Sequence, residues 1–173
     1  MTESGSSCVR SERQGAVGVI TLDRPERFNS LDVRTAQDLR RAGLQMARDE
    51  AIRCVVMRGR PEVFCSGVDL KYVQAGGSPE DLGYLTPLTP LTPLTPLAPG
   101  SDPGSSAPAS SGAIFKQVLE YVNSTICEIR RAPKPFVAAV EGMAAAGGLG
   151  LALCCDLVIA SERASFEWAY GKT

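Results

Sequence analysis

Apolar positions along the chain fall into short unbroken runs separated by turn residues and by longer stretches of mixed character. Residues 16–22 (Ala-Val-Gly-Val-Ile-Thr-Leu) and 52–58 read as strands. Pro25 stops the first ladder, so residues 23–29 form a turn. Ser30 is the expected N-cap of a helix over residues 31–48, with Asp32 favourably placed in its first turn. Gly59-Arg60-Pro61 breaks the second strand, and a short apolar segment, a glycine turn and a helix start follow over residues 63–71.

The same layout returns at residues 135–156. Phe136 to Val140 are apolar throughout, as in a strand buried on both faces. Ala144 to Gly148 carry almost no side-chain bulk, which lets another molecule approach the backbone, and a helix is expected to open near Gly147. First-turn N–H groups of a helix lack intrahelical acceptors and can bind anions or polarise carbonyls. Two such turns side by side could supply two donors to one oxygen.

Ile114, Val118, Val122, Ile126 and Ile129 mark one face of a helix over residues 113–132, which Pro133 and Pro135 end. Residues 157–160 read as a further strand and residues 164–170 as extended. The alternation predicts an α/β fold rather than a sandwich or bundle. Residues 1–11 are polar and expected to fray, leaving residues 12–173 as one core. That core is interrupted at about residues 76–112, where Thr-Pro-Leu occurs four times in tandem over residues 86–97. The insert reads as a repeat expansion in a tolerated surface loop rather than a docking segment for a proline-recognising partner.

Composition narrows the function classes. Over 173 residues the chain has 44% hydrophobic and 21% charged residues, ordinary for one globular domain, and a net charge of −1 that gives no argument for nucleic acid or an anionic membrane surface, so neither is expected as a partner. It contains no histidine, which excludes a Ser-His-Asp or Cys-His site and any His-ligated metal within these 173 residues. The six cysteines make no C-x-x-C pair, so reduced thiols and a cytoplasmic location are expected and no metal site is. The uncharged stretch 142–155 falls short of the about 20 residues that a membrane-spanning helix needs.

Nucleotide motifs fail. Gly142-x4-Gly147 has P-loop spacing, but Gly148 and Leu149 stand where Lys and Ser/Thr are required. Leu153 occupies the third glycine position of a dinucleotide fingerprint. From physics alone, Gly147, Gly148 and Gly150 serve either close helix–strand packing or ligand approach.

Phe64-Cys65-Ser66-Gly67-Val68-Asp69-Leu70 together with the stretch from Ala138 to Asp156 resembles the crotonase (enoyl-CoA hydratase/isomerase) superfamily, and Arg24-Pro25-x-x-Phe28-Asn29-Ser30-Leu31 is similar to its first turn. The resemblance implies a spiral of strand–strand–helix repeats whose C-terminal helices are missing from this chain. It implies acyl-CoA thioesters as substrates, coenzyme A being part of the substrate rather than a separate cofactor. The oxyanion-hole donors would be the amides of Val68 and Gly147. Phe28 and residues Val68, Asp69, Leu70 and Lys71 would line the CoA arm, with Arg24, Arg27 and Lys71 either near its phosphates or simply solvated surface charges.

Hydratases of that family carry two glutamates, and the matching positions here are Gly150 and Tyr170. Ordinary hydration is therefore disfavoured, and the resemblance points to an isomerase or lyase of the fatty-acid type acting through a thioester enolate. Tyr170 would serve as pocket wall or hydrogen-bond donor, and the stray Glu167 would face solvent. A non-catalytic acyl-CoA-binding or assembly module, and a hydrolase or dehalogenase with its acid beyond residue 173, are the competing readings. The complete protein is expected to be a homo-oligomer, trimer or hexamer.

Overall fold

A computed structural model describes residues 8–78 and 110–169. The Thr-Pro-Leu repeat and Tyr170 lie outside the described residues. The chain opens on a hairpin of β1 (Val9–Gln14) and β2 (Val17–Leu22), with Val9 opposite Leu22. Order thus begins inside the span expected to fray: Val9 is buried and the rest of β1 is exposed. A single-turn 3-10 helix at Pro25–Arg27 leads to α1 (Val33–Arg48).

From there the chain alternates between two sheets. β3 (Cys54–Arg58) runs in the first and β4 (Val63–Cys65) in the second, and α2 (Leu70–Gln74) follows. After α3 (Ser111–Arg131), β5 (Phe136–Val140), β6 (Met143–Ala145) and α4 (Gly147–Leu153) repeat the unit, and β7 (Leu157–Ala160) and β8 (Ser165–Glu167) start it again. The larger sheet has the order β1-β2-β3-β5-β7, parallel beyond the hairpin, and the smaller has β4-β6-β8, all parallel. This is the expected spiral of strand–strand–helix repeats. Each turn of the spiral stacks one strand beside its predecessor in both sheets, so the crossings between sheets also stack, and the site is built at these crossings.

The core lies between the larger sheet and the pair α1/α3. Ile20, Val55, Met57, Phe136 and Ala138 from the sheet meet Leu39, Ile114, Val118 and Ile129 from the helices. Gln37 Nε2 donates to Tyr121 Oη at 3.0 Å and Arg40 Nε to Ser124 Oγ at 2.9 Å, tying the helices at their rim. Two helix details differ from the sequence reading. Asp32, not Ser30, is the N-cap of α1, its carboxylate accepting the Thr35 N–H at 2.7 Å. On α3 the fully buried place is taken by Thr125 rather than Ile126; its hydroxyl bonds the Tyr121 carbonyl at 2.9 Å, which satisfies it inside the helix and lets its methyl pack. α3 also begins inside the expected insert, with Ser110 as its N-cap.

β7 contrasts with β5. All four β7 residues are exposed, as are Phe166 of β8 and Trp168 just after it, and β7 and β8 are each the last strand of their sheet. Among the described residues no helix is long and apolar enough to cross a membrane.

Candidate functional site

The site begins with the turn after β2. Phe28 and Asn29 both take left-handed backbone conformations (φ 54° and 50°), and Asn29 is the residue that makes this affordable. Buried to 1% exposure, its Oδ1 accepts the Arg24 N–H at 2.7 Å while its Nδ2 donates to the carbonyls of Val63 (3.0 Å) and Phe64 (3.1 Å). One side chain thereby fastens the turn to β4. The segment after β4 is then laid along the turn: Ser66 N–H to the Phe28 carbonyl (3.1 Å), Leu31 N–H to that of Gly67 (2.8 Å), and Asp69 N–H to that of Leu31 (2.9 Å).

Asp69 anchors the far end of this segment. It caps α2 by accepting the Tyr72 N–H at 3.0 Å, and it receives Arg27 Nη2 at 2.8 Å and Arg24 Nη1 at 3.2 Å. Arg24 also pairs with Asp32 at 2.9 Å and donates to the Ser30 carbonyl at 3.0 Å. Burial works to raise the Asp69 pKa, but the Tyr72 N–H and the two guanidinium groups outweigh it and hold the carboxyl below its ordinary value. Arg24, Arg27 and Asp69 therefore form one ion cluster rather than a set of solvated charges, and the Asp69 side chain is only 4% exposed.

Gly67 sits between the turn and α4. Its φ is +92°, and a Cβ built there would lie 2.8 Å from the Gly147 nitrogen. A Cβ on Gly147 would lie 3.4 Å from Gly67 Cα and 3.9 Å from the Val68 nitrogen. The two turns singled out in the sequence thus abut backbone to backbone. Among the described residues, neither the Val68 nor the Gly147 N–H donates a backbone hydrogen bond. Two adjacent amide donors without acceptors are the equipment needed to stabilise charge on a substrate oxygen.

Three residues hold this arrangement that the sequence reading passed over or left undecided. Ala146, the residue before α4, has φ +48° and ψ −121°, a region natural to glycine; its N–H is tied to the Glu167 carbonyl at 3.1 Å and its carbonyl accepts from Gly150 at 3.2 Å. Gly148 packs against β4 so closely that a Cβ would land in the Cys65 carbonyl, which assigns this glycine to packing. Cys65 is fully buried beneath Gly67, its Sγ donating to the Asn29 carbonyl at 3.1 Å and accepting the Gly67 N–H at 3.4 Å; burial pushes its thiol pKa up to about 12. Asn29 stood in the recognised motif, but its polar side chain gave no sign of the three partners. Nothing in the sequence marks Ala146.

Phe28, Leu70 and Lys71 are exposed, Phe28 by 63% and Leu70 by 60%, on the elements that flank Gly67. Val68 and Gly147 are half-buried. Gly150 is exposed, with nothing within 4 Å of where a Cβ would stand, so a longer side chain fits there. Glu167 is exposed, as expected.

Residues 17–169 match the enoyl-CoA hydratase/isomerase family. The chain is 30% identical over 166 residues to the 1,2-epoxyphenylacetyl-CoA isomerase of Escherichia coli (strain K12), covering 95% of this chain and 51% of the relative. It is 25% identical to the 4-chlorobenzoyl coenzyme A dehalogenase-2 of an Arthrobacter species, covering 96% and 49%. The crystal structure of enoyl-CoA hydratase from Bacillus halodurans superposes with a TM-score of 0.67 at 26% identity, covering 92% of this chain and 52% of that one. The chain spans about half the length of the curated relatives it matches. Since the family match takes in β2 through β8, including both abutting turns, the chain belongs to the enoyl-CoA hydratase/isomerase (crotonase) family.

Proposed function

We propose that the Gly67/Gly147 crossing is the oxyanion hole of an acyl-CoA-processing enzyme. The amides of Val68 and Gly147 would polarise the thioester carbonyl, lowering the barrier to removing a proton beside it and holding the resulting enolate. One such donor contributes on the order of 3 kcal/mol to transition-state stabilisation. The observation that carries this reading is the backbone abutment of the two glycines, with both neighbouring amides lacking a backbone acceptor among the described residues. Exposed Phe28, Leu70 and Lys71 would receive the CoA arm beside it. Of the two arginines, Arg27 is the more exposed and would lie nearer the CoA phosphates, while Arg24, paired with both Asp69 and Asp32, would hold the turn that lines the arm.

The absence of a side chain at Gly150 favours isomerase or lyase chemistry over hydration; the relatives include proteins named as enoyl-CoA hydratases as well as an isomerase and a dehalogenase. It equally favours a second reading, a non-catalytic acyl-CoA-binding or assembly module. In the third reading an acid beyond residue 173 drives hydrolysis or dehalogenation. The complete protein would be a homo-oligomer, trimer or hexamer, in the cytoplasm, with CoA entering only as part of the substrate.

Calorimetry with a panel of enoyl-, aryl- and 3-oxoacyl-CoA thioesters tests the proposal, followed by turnover assays on the same panel. Binding that is lost in Gly147→Val supports the oxyanion hole; failure of every thioester to bind removes it. Turnover of any panel member excludes the binding-module reading.

A further inference from the structure

Cys154 and Cys155 close α4, at the end remote from Gly147, and both are free thiols. The turn that ends the helix folds them onto one spot. Cys154 N–H bonds the Gly150 carbonyl at 3.0 Å and Cys155 N–H that of Ala152 at 3.3 Å. Both sulfurs then reach the same acceptor, the Leu151 carbonyl, at 3.1 Å and 3.5 Å, so the two thiols converge on one oxygen. Adjacent side chains in regular structure diverge, so this convergence comes from the local turn. Cys154 is partly exposed and offers an entry; Cys155 is buried behind it. Arg130 Nη1 lies 3.4 Å from the Cys154 carbonyl oxygen and 3.1 Å from Asp156, which puts a cation beside the pair.

We propose that Cys154 and Cys155 form a vicinal dithiol site for thiophilic trivalent arsenic, as arsenite or a monosubstituted arsenical. Two As–S bonds form in place of two As–O bonds, the thiol protons leaving with the displaced oxygen as one water from an arsine oxide or two from arsenous acid, and neither arsenic nor sulfur changes oxidation state. Cys154 attacks first. The neighbouring Cys155 thiol and the Arg130 charge draw its pKa down against the effect of burial, while the Cys154 thiol and burial raise the pKa of Cys155. Closure at Cys155 is then intramolecular and gains from the high local concentration of the second thiol. Oxidation to a disulfide is the poorer outcome for this pair. Neighbouring Cα atoms lie about 3.8 Å apart, below the roughly 4.4–6.8 Å that a relaxed disulfide spans, whereas a bridging arsenic enlarges the ring.

Phenylarsine oxide added to the whole chain, read by intact mass, is the test. A one-to-one adduct is expected that survives excess 2-mercaptoethanol and is stripped by 2,3-dimercaptopropanol. In Cys154→Ser, with folding checked by circular dichroism, affinity should fall on the order of 100-fold, while Cys127→Ser leaves it unchanged. Absence of an adduct, an adduct removed by the monothiol, or full retention in Cys154→Ser would each overturn the proposal.

Discussion

Gly67 and Gly147 meet backbone to backbone, and the contact is asymmetric. A Cβ on Gly67 would press to 2.8 Å from the Gly147 nitrogen, whereas a Cβ on Gly147 would make an ordinary contact at 3.4 Å with Gly67 Cα. Gly67 also carries the positive φ of +92° that side chains resist. The first turn is therefore the constrained partner, and the second has room.

Gly67→Ala should accordingly destabilise the fold by about 2 kcal/mol, from backbone strain plus overpacking. Gly147→Ala should stay within about 0.5 kcal/mol of the parent. Urea unfolding of the two variants measures the difference. Equal midpoints would mean that the crossing is looser than the contact distances imply.

Two glycines of α4 make opposite predictions. At Gly148 a Cβ collides with the Cys65 carbonyl, a backbone atom that cannot swing aside, so Gly148→Ala should cost about 1–3 kcal/mol or more. At Gly150 nothing stands within 4 Å, and replacing a helical glycine by alanine should stabilise by up to about 1 kcal/mol. Thermal melts of both variants decide it: a shared sign would refute the assignment of Gly148 to packing against β4.

Much of this arrangement was legible because parallel strands buried on both faces leave continuous apolar runs, as at Phe136–Val140, and because glycine marks both turns. β1 was not legible, since only Val9 of its six residues is buried and an exposed edge strand has no hydrophobic signature. The start of α1 was misplaced by two residues because Ser30 and Asp32 are both capping residue types, and only the backbone decides between them. The ion cluster was hidden by distance along the chain: Asp69 is 45 residues from Arg24 and 42 from Arg27. The strain at Ala146 was invisible, because alanine is compatible with almost every ordinary conformation.

Asp69 makes stability pH-dependent in a stated direction. Its folded-state pKa is lowered, so the native state binds fewer protons than the unfolded chain near the usual carboxylate pKa of about 3.9. The stabilisation is complete above that pH and is lost as pH falls through the folded value. Asp69→Asn leaves Arg27 without its carboxylate partner and should cost on the order of 3 kcal/mol at pH 7. The gap between parent and variant in urea unfolding should narrow below about pH 4. A gap independent of pH would show that the charge of Asp69 is not what stabilises the cluster.

Ala146 holds φ +48° and ψ −121° at the threshold of α4, a conformation that costs a residue with a Cβ about 1–3 kcal/mol. Ala146→Gly removes that strain but adds about 0.5–1 kcal/mol of unfolded-state entropy, so the net expectation is a gain of between zero and about 2 kcal/mol. The position of the Gly147 amide should survive the change, because it depends on the Ala146 N–H to Glu167 carbonyl bond and the Gly150 N–H to Ala146 carbonyl bond, both made by the backbone. Acyl-CoA affinity should then stay within about twofold, well under the tenfold that 1.4 kcal/mol represents. Parallel urea unfolding and calorimetry separate the two effects. Destabilisation by more than 1 kcal/mol would mean that packing of the Ala146 methyl, which lies 3.1 Å from where a Cβ on Gly67 would stand, outweighs the strain. Loss of affinity with stability unchanged would mean that the methyl itself shapes the oxyanion site.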